Sequence, residues 1–363
     1  MAARGHPAVP RYAWAFLVLV PVSLAAWALR IGSVPVFVVA AAAVIPLAYV
    51  MGVATEELGK HAGPGVGGLL NATFGNATEL IIALVALSSG LVTVVKASIT
   101  GSIVGNILLV LGASMLTGGV RHKKQTFNRA AAGLQVTMLT LAVVGLVMPE
   151  LYSLFIPPAT PPSPPSPRLD QMSLIISVIL LVAYLAGLLF SFHTHKDVFN
   201  PVTREGDPPR WGVRLALGVL LGATALVALE SEVLVGALEG AIAETGLTEL
   251  FAGVVVIAIV GNAAEHSASI LLAWRNKMDL SVGIATSSST QIALFVAPVL
   301  VLVSTVVGPR LMTLDFEPFE LVSIALSVAI LSLCASDGES NWYEGALLIM
   351  VYAIIAVGFF FHP

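Results

Sequence analysis

The sequence predicts an all-α polytopic membrane protein of about 11 transmembrane helices, with an N-terminal helix followed by two inverted five-helix repeats. Three observations predict it. The 363-residue chain is 57% hydrophobic and only 10% charged, where a soluble domain carries about 25% charged residues; its mean hydropathy is +0.95. Apolar runs near the ~20 residues that cross hydrocarbon recur from end to end. The pentapeptide Gly75-Asn76-Ala77-Thr78-Glu79 returns 186 residues later as Gly261-Asn262-Ala263-Ala264-Glu265, so the chain is built as a duplication.

The elements follow in order. Residues 1–33 hold the first membrane helix, roughly 12–29. Arg4 and Arg11 before it give the look of a signal peptide, but no small-residue cleavage site follows and more spans do, so it reads as a span. The first repeat, 34–195, has spans at roughly 34–58, 66–90, 92–117, 129–149 and 170–192. His61-Ala-Gly-Pro64 and Arg121-His-Lys-Lys124 punctuate it, and the Pro-rich run 157–167 reads as a stiff linker. Residues 196–210 form a cytoplasmic linker. The second repeat, 211–363, has spans at roughly 212–236, 247–273, 279–307, 317–336 and 342–361.

With the N-terminus cytoplasmic, 13 of the 17 Lys and Arg fall on the inner side; only Arg30, Lys96, Arg168 and Arg310 fall outside. That asymmetry is the positive-inside pattern and supports the count, the orientation and a place in the cytoplasmic membrane. Five spans per copy is odd, so the second copy crosses the membrane upside down relative to the first, as in secondary transporters. The acidic loop residues Asp315, Glu317 and Glu320 fall outside and read as a solvated face. The single cysteine, Cys334, excludes an intramolecular disulfide and reads as a packing residue.

Polar groups inside membrane-length apolar runs are costly and mark function by default. Asn76 and Glu79 are three apart, as are Asn262 and Glu265, which puts amide and carboxylate on one helix face. Gly75 and Gly261 weaken the helix at that level. Inversion brings the two faces together near the midplane. Hydroxyls from Ser102 and Ser288, within the 287–289 run, and amides from Asn106 and Gln291 complete an all-oxygen, doubly anionic set. Such a set fits a hard divalent cation, Ca²⁺ better than Mg²⁺, which sheds its water reluctantly. Two carboxylates in a low-dielectric site repel each other and are poorly solvated, so protons replace a departing cation. Competition between one divalent ion and protons for the same pair is a physical basis for antiport. Glu56 and Glu232 flank the site one span earlier in each copy and read as an ion or proton route, and His266 as a group on the proton side.

These residues resemble the calcium/cation–proton exchanger family, CAX, of the cation/calcium exchanger superfamily. The likeness rests on residues 67–82 and 260–266 around the two motifs, on Thr55-Glu56, Ser231-Glu232, the Ser288-Ser289…Gln291 segment and Thr194-His-Lys196. It implies a ten-span core with one added N-terminal span, and export of cytosolic Ca²⁺ driven by inward protons. It also implies Glu79 and Glu265 as the central carboxylates with Asn76 and Asn262 supporting them, and His266 as the mark that separates this branch from sodium/calcium exchangers. The acidic helix of some relatives is missing from the short loop 193–211.

Three other readings remain open: a Na⁺-coupled or other cation/H⁺ exchanger on the same scaffold, a passive cation channel, and an intramembrane hydrolase. The last lacks a nucleophile or a His/Cys cluster, so the chain reads as no enzyme. No cofactor or nucleic-acid partner is implied. Ca²⁺ and H⁺ are transported ions, other divalent cations are further candidates, and membrane lipid is the remaining partner; the sequence sets neither stoichiometry nor oligomeric state.

Overall fold

The computed structural model describes residues 11–155, 167–195 and 208–362. Arg4, residues 157–166 of the Pro-rich run and residues 196–207 of the linker lie outside the described residues. The described chain is almost wholly helical. Its sheet is a two-residue clasp, Gln125–Thr126 antiparallel to Glu339–Ser340.

Among the described residues seven helices are long and apolar enough to cross a membrane, or eight if the bent pair Glu249–Gly261 and Ala263–Trp274 is one span. Trp14–Ala28, Ala77–Ser88 and Pro318–Cys334 are apolar but shorter. Length alone therefore does not return the expected eleven. The expected span 66–90 shows why, because the chain breaks it at Gly75-Asn76, between helices Ser33–Phe74 and Ala77–Ser88.

The boundary expected at His61–Pro64 takes an unexpected form. Helical geometry continues from Ser33 to Phe74, yet the chain folds back on itself. A Cβ added at Gly59 would lie 3.2 Å from the Gly67 Cα, whereas eight residues of straight helix span about 12 Å. Two glycines let the backbones meet.

The chain forms two compact units. The first comprises residues 1–85, 191–247 and 260–264. In it, helices Ser33–Phe74 and Val213–Thr245 pack side by side, with Val50, Met51 and Ala54 against Leu220 and Ala223. One step along, Val20 of helix Leu19–Ala28 joins Ala43, Leu47 and Val227. Both sets recur at three- and four-residue spacing, the mark of a single buried helix stripe.

The second unit comprises residues 86–190, 248–259 and 265–363. Its inner helices are Val92–Arg121 and Met278–Val303, 72% and 67% buried over their apolar windows, against 22% for Arg129–Phe155 and Pro167–Thr194. The inner helices hold the small and polar residues, and the outer ones turn Ile175, Val178, Val182 and Leu185 outward. Lipid is as apolar as leucine, so close backbone approach through small residues is what holds such helices together. Gly101 abuts the Val254 carbonyl and Gly253 abuts Ala97, a reciprocal contact that leaves no room for a Cβ on either glycine.

Besides Phe190–Thr194 at the end of the outer helix, three π-helical segments, Gly105–Val110, Ala252–Ile257 and Ile292–Val296, lie in the second unit. Each lies beside a residue singled out above: Asn106 within the first, Gly261 four residues after the second, Gln291 immediately before the third. Such π-bulges are frequent at functional sites.

Gly101→Ala drives a methyl into the Val254 carbonyl and should cost about 1–3 kcal/mol of stability. Gly218→Ala, where an added Cβ meets nothing within 4 Å, should be neutral or stabilising. Thermal unfolding of the two purified variants in detergent checks this; equal midpoints would show that the Gly101 contact is not tight.

Candidate ion-binding site

Both copies of the repeated pentapeptide break their helices at the same step. In the first copy the break is Gly75-Asn76, and helix Ala77–Ser88 begins with Glu79 in its first turn. In the second it is Asn262, with a 62° bend, and helix Ala263–Trp274 begins with Glu265 in its first turn. Asn76 and Asn262 are 2% and 1% exposed. The Asn76 carbonyl accepts the Leu80 N–H at 3.0 Å, the first bond of the new helix. Each glutamate thus sits in a first turn, where the positive end of the helix dipole favours negative charge. The three-residue spacing read as one helix face is instead a cap-and-first-turn relation.

Within the first unit the two motifs meet. A Cβ at Gly261 would lie 3.1 Å from the Glu79 Cγ, so the glycine of the second copy makes room for the glutamate of the first. Asn76, Glu79 and Asn262 all belong to this unit.

Within the second unit a hydrogen-bonded chain converges on Glu265. Asn106 Nδ2 donates to Ser288 Oγ at 3.0 Å, and the Ser288 hydroxyl donates to the Glu265 carboxylate. The donor on Asn106 fixes the direction of the chain, leaving the serine proton for the glutamate. The other carboxylate oxygen, Glu265 Oε2, is buried and has no hydrogen-bond partner among the described residues.

The neighbouring hydroxyls behave differently. Thr286, Ser287, Ser289 and Thr290 each bond back to a carbonyl of their own helix, so Ser288 is the member of the run turned toward Asn106 and Glu265. Ser102 is buried one turn before Asn106, and Gln291 is half-buried three residues after Ser288; these spacings keep them on the same faces. His266 is half-buried beside Glu265. Among the described residues no three His, Cys, Asp or Glu side chains gather as metal ligands.

Glu56 and Glu232 are exposed, and Glu56 pairs with Lys60 at 2.9 Å. The buried acid at each level is a neighbour that sequence reading passed over. Glu57 is 2% exposed, pairs with Lys60 at 2.7 Å and accepts the backbone N–H groups of Arg210 and Trp211. Glu230 is fully buried. Helical phase was the available signal: Glu57 continues the stripe Val50, Ala54, and Glu230 the stripe Ala223, Val227. Glu320, read as part of a solvated face, is 1% exposed and accepts a hydrogen bond from Thr100 at 2.9 Å. Asp315 pairs with Lys96 at 2.6 Å.

The profile of the sodium/calcium exchanger protein family matches residues 32–193 and again 215–361. The chain belongs to this family. The family resemblance read from the motifs is upheld by the relatives. A Ca²⁺/H⁺ antiporter of Synechocystis sp. is 46% identical over 96% of this chain and 96% of its own length. The Ca²⁺/H⁺ antiporter ChaA of Bacillus subtilis is 44% identical over 94% of this chain and 96% of its own. The solved structure of native YfkE superposes with a TM-score of 0.81 at 40% identity, covering 96% of this chain and all of that one. The H⁺/Ca²⁺ exchanger CAX, at 14% identity and a TM-score of 0.68 over 96% of this chain and 91% of its own, shares the fold. The chain is a helical membrane protein of a transporter family.

Ser288→Ala removes the donor to Glu265 and the acceptor of Asn106, and should cost about 1–3 kcal/mol. Ser288→Thr keeps the hydroxyl and should cost less. Unfolding of both variants in detergent decides; an equal loss would assign the effect to packing rather than to the hydroxyl.

Proposed function

We propose that this chain is a Ca²⁺/H⁺ antiporter that exports cytosolic Ca²⁺ in exchange for protons by alternating access, with Glu79 and Glu265 as the exchanging carboxylates. The observation that carries this reading is the identical placement of the two acids. Each opens a helix that restarts at a buried Asn inside an apolar run. Relatives named as Ca²⁺/H⁺ antiporters, 44–46% identical over nearly the whole chain, support the choice of ions.

The residues divide the work as follows. Glu79 and Glu265 supply the charge that a hard divalent ion requires, and Asn76, Asn262, Ser102, Asn106, Ser288 and Gln291 supply neutral oxygens. When Ca²⁺ leaves, protons take its place on the carboxylates. Either loaded form is near neutral and can change the side to which it opens, while the empty dianion is too costly to pass through an apolar gate. Ser288 serves both states, donating to ionised Glu265 and accepting when that carboxyl is protonated. His266 tunes the proton half of the cycle from outside the ligand set, and Glu56 and Glu232 sit on the ion route. The two copies are inverted five-helix repeats, and the protein lies in the cytoplasmic membrane with its N-terminus inside. This orientation rests on the Lys and Arg asymmetry. Other divalent cations of similar size compete for the same oxygens.

Glu79→Gln and Glu265→Gln should each abolish pH-driven Ca²⁺ transport in proteoliposomes while the protein still inserts. Gln is nearly isosteric, so only charge and proton chemistry are lost. Appreciable exchange in either variant rejects the pair. A panel of cations, Na⁺ included, in the same assay separates this reading from other coupling ions.

His266→Ala should move the pH profile of the initial rate more than the apparent Ca²⁺ affinity, because imidazole is the side chain whose ordinary titration lies near neutral pH. An unchanged profile with a large loss of affinity would make His266 a ligand or an anchor of the site.

A further inference from the structure

Glu230 is a fully buried carboxyl outside the exchange site. Neither of its oxygens has a hydrogen-bond partner of ordinary geometry among the described residues. The polar side chain acting on it is Ser23 of helix Leu19–Ala28, itself fully buried with an unpartnered hydroxyl. The helix register explains the meeting. Val20 and Val227 share one apolar cluster, and Ser23 and Glu230 each follow three residues later, on the same faces.

A cavity of about 450 Å³ opens along the same junction, lined by Trp27, Arg30, Ser33, Val36, Gly236 and Ala237. It begins four residues past Ser23 and six past Glu230, or about 6–9 Å along the helix axes. Water in that cavity therefore stands within two turns of the carboxyl.

Among the described residues no cation faces Glu230. Helix Leu19–Ala28 has no charged residue, and Arg30 beyond it lines the cavity. On Ser33–Phe74 the ionisable groups are Tyr49 and, far along, Glu56, Glu57, Lys60 and His61, with Lys60 held by the two acids. On its own helix Glu232, Glu239 and Arg214 are exposed. Glu79, on the helix that sends Ile81 to the cluster, lies against Gly261.

We propose that Glu230 is a second proton-binding site, separate from the Glu79 and Glu265 pair, and that its protonation seats the N-terminal helix against helix Val213–Thr245. A proton from cavity water binds one carboxylate oxygen, and the resulting acid donates to Ser23 Oγ. On release the proton returns to water, Ser23 turns to donate, and the anion needs hydration that the seated helix denies it. The first matched family residue is 32, so the Ser23 side of this site lies outside the shared profile.

The test uses the full-length protein and reads no transport, so it stands apart from the antiport reading. In a Glu79→Gln, Glu265→Gln background, infrared difference spectra across a pH titration should contain a protonated-carboxyl band. Glu230→Gln should remove it and Ser23→Ala should shift it. A carboxyl band untouched by both substitutions overturns the proton site. Should Glu230→Gln fail to fold, the Ser23→Ala shift alone decides. For the seating, Ala26→Cys in a Cys334→Ala background is labelled with a water-soluble maleimide. Labelling should rise more steeply with pH when Glu230 is present than in Glu230→Gln, which corrects for thiol ionisation. Equal slopes overturn the seating.

Discussion

A chain inside hydrocarbon must satisfy every backbone N–H and C=O from within, and the unbroken helix is the simplest way to do so. This protein departs from that solution at Gly75-Asn76 and at Asn262, and its candidate site residues gather around those breaks. Each break places a buried asparagine between two helices. Each is followed at once by a glutamate in the first turn of the next helix. The polar groups are tolerable there because the rest of the fold supplies partners, as Ser288 does for Glu265 and Asn106 for Ser288.

The same constraint explains the division of labour among helices. In the second unit helices approach closely through glycine, as at Gly101 and Gly253, while the outer helices turn branched aliphatics such as Ile175 and Val182 outward. Where a charge has to be buried away from the site, as at Glu57, the chain surrounds it with a lysine and two backbone N–H groups. Among the described residues Glu230 has no such shell, and only the Ser23 side chain acts on it.

The parts of the fold that were legible in sequence are those where one signal is repeated or long. Two Gly-Asn-x-x-Glu motifs mark each other, and membrane-length apolar runs need no partner to be recognised. Signals that depend on rotation about a helix were harder to read. Glu56 and Glu57 are adjacent in sequence but about 100° apart on the helix, and only the apolar stripe says which is buried. The run Thr286–Thr290 offers five hydroxyls of similar kind, and nothing local distinguishes Ser288 from those that bond their own helix. The fold-back at Gly59 and Gly67 falls where the sequence placed a boundary, but the backbone contact that closes it leaves no mark in residue type.

The helix Trp342–Phe361 packs on Leu111–Arg121 through glycines on both sides. Gly345 abuts the Leu116 backbone, and Gly112 and Gly119 abut Leu348 and Trp342. The Gln125–Ser340 pairing clasps the adjoining loops. On the ribosome these partners emerge far apart: at about 5–20 residues per second, Gly345 follows Gly112 by roughly ten to fifty seconds. Throughout that interval a small-residue groove in the first third of this sequence lacks its partner. Helix Trp342–Phe361 therefore closes the second unit only late in synthesis. A nascent chain cut short before Trp342 keeps every residue of both repeated motifs, yet it presents an unfilled glycine groove to the cell's membrane quality control.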